Sequence, residues 1–177
     1  HIPSDRPEKE RRFIHGRVGI SYMYEDIIVP VDGSAGVKRV VAHATSLAAL
    51  HGSVLDFVYV IDTAAFTSMP IETSWEGLGT SLRKEGEIAL NEAIQMAGDT
   101  PHTSHLLEGG PSHEITAYAK RSGADLIVMG THGRGGINRI LLGSVAERVV
   151  RSSPIPVLTV RVGETTESTS AVTQPEK

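Results

Sequence analysis

Two kinds of apolar pattern alternate along the chain. The run Asp26-Ile27-Ile28-Val29-Pro30-Val31 is short, β-branched and apolar at consecutive positions. That is the pattern of a strand buried on both faces of a parallel sheet. It stops at Asp32-Gly33-Ser34, which carries turn and helix N-cap chemistry. Val37, Val40, Val41, Ala44, Leu47 and Ala48 then recur at helical spacing, and Gly52 closes that helix. Residues 54–61 form a second apolar run, ending at Asp62. A connection over 63–77 holds Met69, Pro70, Trp75 and Gly77. Leu82, Ala89, Ala93 and Met96 predict a second helix with that stripe inward, ending near Gly98. Residues 102–107 are a weaker strand, ending at Glu108-Gly109-Gly110. Pro111 and Ser112 open a third helix with Ile115, Tyr118 and Ala119 inward and Gly123 at its end. Residues 125–129 are a fourth strand, ending at Gly130. A fourth helix starts at Gly143-Ser144 and carries Val145, Val149 and Val150, and residues 156–160 are a fifth strand.

Five strands and four helices in strict alternation predict an α/β domain: a five-stranded parallel sheet with helices on both faces. Ligands in such sheets sit beyond the carboxyl ends of the strands, where strand order reverses. Asp32, Asp62, Glu108 and the loop after Met129 are the residues at those ends.

The predicted domain covers residues 23–163. Residues 1–22 show no helical or alternating period and no continuous apolar segment, and read as a leader or expression-derived segment that is poorly ordered. Met23, just before the first strand, reads as the natural start. Residues 164–177 hold six Ser/Thr in fourteen positions and predict a disordered tail.

Composition narrows the chemistry. The chain of 177 residues contains no cysteine, which excludes disulfides, thiolate metal sites, iron–sulfur clusters and a cysteine nucleophile. Net charge is −4 and pI about 6.1, so no overall basic field draws the chain to nucleic acid or anionic lipid. No apolar stretch approaches the ~18 residues of a membrane span.

The loop after the fourth strand carries the chemistry. It reads Gly130-Thr131-His132-Gly133-Arg134-Gly135-Gly136-Ile137-Asn138-Arg139-Ile140-Leu141-Leu142-Gly143-Ser144, a G-x2-G-x9-G-[ST] spacing from strand end to helix start. Glycines let backbone amides approach an anion and permit φ > 0 where the loop turns. The helix beginning at Gly143-Ser144 adds free amides and a dipole that favour phosphate by roughly 0.3–2 kcal/mol. Ser144 reads as both N-cap and phosphate donor. No lysine precedes Ser144, so the loop is not a P-loop, and the tight G-x-G-x-x-G of dinucleotide folds is absent. If strands one and four are neighbours at the reversal point, Asp32 faces Gly130 across one crevice. A carboxylate accepts from an adenine amino group or ribose hydroxyl but repels phosphate, so Asp32 belongs to the nucleoside end. Its plain alternative is a turn former. Arg134 and Arg139 either neutralise phosphate or point to solvent; His132 is either a catalytic acid or a backbone spacer; Asp62 either helps hold Mg2+ or ends a strand. Met69 and Trp75 belong either to a flap or to a packing cluster under a long loop. His102 and His105, three apart on a strand, point to opposite faces and make a poor metal pair.

The run from Asp26 to Ser34, the Met129–Val145 loop and Ser153-Pro154-Ile155-Pro156-Val157-Leu158 together resemble the universal stress protein family, over about residues 23–162. The resemblance implies strand order 3-2-1-4-5, a homodimer built along the last strand from Val157 to Val162, and an ATP site of the nucleotide-binding subgroup. It implies that Pro30, Val31 and Asp32 line the adenine and ribose end, with Val60 offering backbone groups to the adenine edge. Met129 and Gly130 lie under the ribose, and Gly133, Gly143, Ser144 and Val145 hold the phosphates. His132 and Arg134 complete the candidate set. The expected ligand is ATP, with AMP or ADP as alternatives and Mg2+ alongside. The expected protein is a cytoplasmic, stress-responsive nucleotide signal without a catalytic residue. Its rivals are an adenylyl-transferring or ATP-pyrophosphatase enzyme and a structural dimer with an empty pocket.

Overall fold

The computed structural model describes residues 24–63, 75–132 and 142–162. Nine elements follow in order: β1 (Asp26–Pro30), α1 (Val37–His51), β2 (Val54–Asp62), α2 (Trp75–Ala97), β3 (His102–Gly109), α3 (Pro111–Ser122), β4 (Leu126–Gly130), α4 (Ser144–Ser152) and β5 (Val157–Val160). The strands form one parallel sheet in the order β3-β2-β1-β4-β5. Strand order reverses between β1 and β4, as expected for this fold class.

Alternating side chains divide the strands between two cores. Ile27, Val29, Leu55, Phe57, Tyr59, Leu126 and Val128 pack beneath α1 and α2. Ile28, Val58, Ile127 and Met129 pack beneath α3 and α4. The inner strands β1 and β4 are therefore apolar at successive positions, because each face has its own helical cover, whereas the edge strand β3 opens with polar residues. On α2 the close approach depends on Gly86. A Cβ there would stand 2.5 Å from Leu106 Cδ1 and 2.8 Å from Tyr59 Cδ1.

Two polar devices hold the amino ends of the strands. The Asp125 carboxylate accepts the N–H groups of Glu25 (2.8 Å) and Asp26 (3.0 Å), and the Asp125 N–H donates to the Asp26 carbonyl (2.9 Å). This clamp fixes β1 against the start of β4. Asp56, an acid inside the apolar β2 run, is buried on the α3 side. Its carboxylate accepts from Tyr118 (2.6 Å) and Thr103 (2.8 Å) and lies 3.2 Å from His105 Nε2. Full pairing is what makes a buried carboxylate tolerable.

The structure corrects several local expectations. Met96 is 45% exposed and Val150 46% exposed, so neither faces inward. The inward positions are Ala89, Leu90, Ala93 and Ala97 on α2, and Ala146 and Val149 on α4. Helical spacing puts these positions against the sheet, while Met96 and Val150 stand one position off that line and turn outward. Asp32 does not cap α1. That helix starts at Val37 with Gly36 at its N-cap, and Asp32 Oδ1 instead accepts the Ser34 N–H (3.0 Å), closing an Asx turn. Ser144 is the first residue inside α4, and the capping position belongs to Gly143. His102 and His105 do point apart: His102 lies against Phe57, and His105 against Tyr118.

Replacing Asp125 by Ala removes the one acceptor shared by two backbone donors. Equilibrium urea unfolding of Asp125→Ala is expected to show a loss of roughly 1–3 kcal/mol, with the sheet topology retained.

Candidate functional site

The site arises from the way β1 and β4 part. They are paired at Ile27–Leu126 and Ile28–Ile127 only, whereas β1 keeps its pairing with β2 through Pro30–Val58. Successive N–H groups of a strand point to opposite neighbours. Val31 donates to the Val58 carbonyl on β2 (2.9 Å), so the next amide back along β1 is directed at β4. That position is Pro30, which has no N–H. On the other side Thr131 donates to the Val160 carbonyl on β5 (2.9 Å). Beyond their last shared pair, β1 thus follows β2 and β4 follows β5, and a crevice opens at the reversal point.

One rim of that crevice is Val31, buried at 6% exposure, followed by the Asx turn at Asp32. The other rim is Met129, Gly130, Thr131 and His132, with Met129 buried in the α3–α4 core. Val162, past the end of β5, packs beside Gly36 ahead of α1 and beside Gly130 on the second rim. A Cβ on Gly36 would stand 2.7 Å from Val162 Cβ, and one on Gly130 would stand 3.4 Å from Val162 Cγ1.

The helix beneath the second rim is anchored by backbone. Gly143 N–H donates to the Thr131 carbonyl (2.7 Å), drawing the two ends of the loop together. Glu147 N–H donates to the Gly143 carbonyl (2.8 Å), so the amides of Ser144, Val145 and Ala146 precede the first helical hydrogen bond of α4. Those amides and the helix dipole form an anion-attracting end. Gly143 has φ −61 and ψ 152, an ordinary extended conformation, so the expected φ > 0 is not the reason for a glycine there. The reason is room: a Cβ would lie 3.1 Å from the Thr131 carbonyl oxygen and 3.4 Å from His132 Cα. At Gly130 a Cβ would meet the His132 carbonyl oxygen at 3.2 Å.

Of the sequence candidates, Pro30, Val31 and Asp32 gather at the end of β1, and Met129, Gly130 and His132 at the end of β4. Gly143, Ser144 and Val145 open α4. Val60 stands near the end of β2, half-buried against the α3–α4 core. Gly133, Arg134, Gly135, Gly136 and Arg139 lie outside the described residues, as do Met69, residues 1–22 and residues 164–177. Trp75 opens α2, with its side chain outside the described set. Asp62 ends β2 exposed to solvent. Among the described residues no three His, Cys, Asp or Glu side chains are grouped to hold a metal ion.

Three residues were missed by sequence reasoning. Gly36 and Val162 form the floor contact between α1 and the chain after β5, and Thr131 links three backbone strands of the site. The Thr131 hydroxyl accepts the Val162 N–H (3.4 Å) and lies 3.1 Å from His132 Nδ1. The signal for Gly36 was a second glycine at the start of a helix. Nothing in the pattern distinguished Val162 or Thr131. The residues present suit an anionic ligand with a flat apolar end: amides and glycines on one rim, apolar strand ends and a carboxylate on the other. Among the described residues His132 Nε2 is a buried polar atom with no hydrogen-bond partner.

Comparison with known proteins agrees with this geometry. A family model described as "Universal stress protein family" matches residues 23–161. A universal stress protein of Methanocaldococcus jannaschii is 42% identical over 142 residues, which span 78% of this chain and 83% of that protein. A solved structure of another M. jannaschii universal stress protein, 29% identical, superposes with a TM-score of 0.72 over 81% of this chain and 100% of that one. Two solved relatives, each 26% identical with a TM-score of 0.57, carry nucleotides. One is an Archaeoglobus fulgidus universal stress protein in complex with dAMP, aligned over 78% of this chain and 98% of that one. The other is a universal stress protein in complex with cAMP, aligned over 80% and 100%. The family match, the sequence identity and the shared fold agree: this chain belongs to the universal stress protein family.

Proposed function

We propose that this chain binds an adenine nucleotide in the crevice between β1 and β4, with ATP as the favoured ligand and AMP or ADP as alternatives, and acts as a nucleotide-dependent signal in a stress response. The single observation that carries the reading is the opening at Pro30, flanked by a carboxylate turn on one side and a glycine-bounded helix start on the other. The dAMP and cAMP complexes of two relatives support the adenine assignment. Val31, Asp32 and Val60 serve the nucleoside. Gly130, His132, Gly143, Ser144 and Val145 serve the phosphates, joined by Gly133 and Arg134 of the intervening loop. Mg2+ comes with the phosphates.

The same reading makes the protein a binder more than a catalyst. The loop sequence has neither a P-loop lysine nor a nucleophile–base pair, so the nucleotide is held with negligible turnover. No helix among the described residues is long and apolar enough to cross a membrane, and a cytoplasmic location is part of the proposal. So is a homodimer through the edge strand. Among the described residues β5 pairs with β4 on one side only and presents Leu158 at 40% exposure, and an uncovered apolar edge favours pairing with a second copy.

Three outcomes follow. Heat-denatured protein is expected to release an adenine nucleotide identifiable by mass spectrometry, or the emptied protein to bind ATP–Mg2+ by calorimetry. Absence of both favours an empty structural dimer, and product formed from ATP with a second substrate favours the enzyme reading. Gly143→Val presses a branched side chain on the Thr131 carbonyl and is expected to weaken ATP at least ~10-fold while the fold survives; unchanged affinity removes the loop from the site. Light scattering is expected to give a dimer for the wild type and a monomer for Leu158→Glu.

A further inference from the structure

We infer that His105, backed by Asp56, is a phosphoryl-acceptor site on the α3 face of the sheet, whose Nδ1 takes the phosphoryl group of a small activated donor, a phosphoramidate or an acyl phosphate. The cluster is built from β2, β3 and α3 and shares no residue with the crevice between β1 and β4, so the inference stands apart from the nucleotide reading. Asp56 points to it. Val58, two positions on and on the same face of β2, is buried and apolar, as a strand covered by a helix requires. Asp56 is buried as well, at 7% exposure. An apolar side chain there would avoid the cost of taking a charge out of water. What the carboxylate does instead is face a histidine in a fixed orientation. The Tyr118 hydroxyl donates to Oδ2 (2.6 Å) and the Thr103 hydroxyl to Oδ1 (2.8 Å), so both oxygens are held. His105 Nε2 lies 3.2 Å from Oδ1.

A carboxylate only accepts, so this contact favours the tautomer with its proton on Nε2 and its lone pair on Nδ1. Among the described residues Nδ1 has no partner, and the His105 side chain is 41% exposed where that of Asp56 is 11% exposed. An imidazole anchored from inside by an acid, with its other nitrogen free, is an oriented nucleophile. Arg121 indicates the electrophile. Its guanidinium carbon lies 4.8 Å from the centroid of the Tyr118 ring, and the His105 ring lies 5.1 Å from that same centroid. Arg121 makes no ion pair among the described residues, and a guanidinium suits the oxygens of a phosphoryl group. The step balances. The Nδ1 lone pair forms the N–P bond as the donor's P–N or P–O bond breaks, and that electron pair leaves with ammonia from the N-protonated phosphoramidate or with the carboxylate of the acyl donor. The ring keeps its proton on Nε2 and becomes cationic, with the Asp56 carboxylate as its counter-charge. His113 differs: its Nδ1 is the nitrogen that meets a carboxylate, Glu114 at 3.0 Å, and its side chain is 80% exposed.

The test uses the full chain and potassium phosphoramidate. Peptide mass spectrometry under non-acidic conditions locates the phosphohistidine, 31P spectra assign its isomer, and circular dichroism confirms folding of each variant. His105 is expected to be phosphorylated at Nδ1 about 10-fold faster than any other histidine of the chain, and Asp56→Asn to remove most of that advantage. Arg121→Gln alters an exposed side chain and is expected to slow phosphorylation of His105 at least ~3-fold, while its acylation by diethyl pyrocarbonate, a neutral reagent, stays unchanged. The inference is overturned if phosphate spreads evenly over the histidines or collects at His113, if the His105 adduct is on Nε2, or if Asp56→Asn is phosphorylated as fast as the wild type. It is overturned equally if Arg121→Gln reacts with phosphoramidate as the wild type does, or loses both reactions alike. Should Asp56→Asn fail to fold, the adduct isomer and the two reactions of Arg121→Gln decide.

Discussion

A missing hydrogen-bond donor at the centre of the sheet governs the rest of the site. In a parallel sheet the strand ladders hold neighbours together wherever each amide finds a carbonyl. Pro30 stands at the one position of β1 where the next amide toward β4 would be needed, and proline supplies none. Proline is normally excluded from central strands. Here it sits at the last residue of β1, where losing one ladder bond ends the pairing instead of weakening its interior. The Val31 amide remains bonded to β2 and the Thr131 amide to β5, so the two chain ends are pulled apart by bonds that are made as well as by the one that is not.

Glycine in this site is chiefly a matter of clearance. The familiar reason for glycine in a phosphate loop is a left-handed backbone. Among the described residues of the loop that reason does not apply: the positive-φ glycines are Gly33, Gly52, Gly98, Gly109 and Gly123, all elsewhere. Gly130 and Gly143 are small because the chain at Thr131 and His132 passes between them. Gly36 is small because Val162 leans on it. Three glycines far apart in sequence thus serve one purpose, letting the ends of β4, β5 and the helices α1 and α4 approach closely.

The sheet was legible because β1, β2 and β4 are largely apolar runs that end near glycine or aspartate, and because helix ends at Gly52 and Gly123 take the left-handed conformation that such positions invite. Strand order came only from resemblance to a family, since alternation alone does not say which strand neighbours which. The rims at Asp32 and Gly130 were legible as strand ends. Orientation within helices was less so: Met96 and Val150 are apolar at helical spacing, yet the inner positions go to Ala89, Leu90, Ala93 and Ala97 on α2 and to Ala146 and Val149 on α4, because room against a sheet depends on the facing side chains as well as on hydropathy. Asp56 was visible as the lone acid in the apolar β2 run. Its partners Tyr118, Thr103 and His105 come from two other elements and could be assembled only by the fold. Val162 and Thr131 share this limit, since their importance lies wholly in contacts made across the sheet.

Thr131 has a mechanical consequence. Its amide is bonded to Val160, its carbonyl to Gly143 and its hydroxyl to Val162, so a single residue ties the outermost strand to the first turn of α4. Displacement of the loop is therefore transmitted to the border of the sheet, and strain imposed on that border travels inward along the same three bonds. Molecular recognition in the interior and contact at the perimeter share one lever.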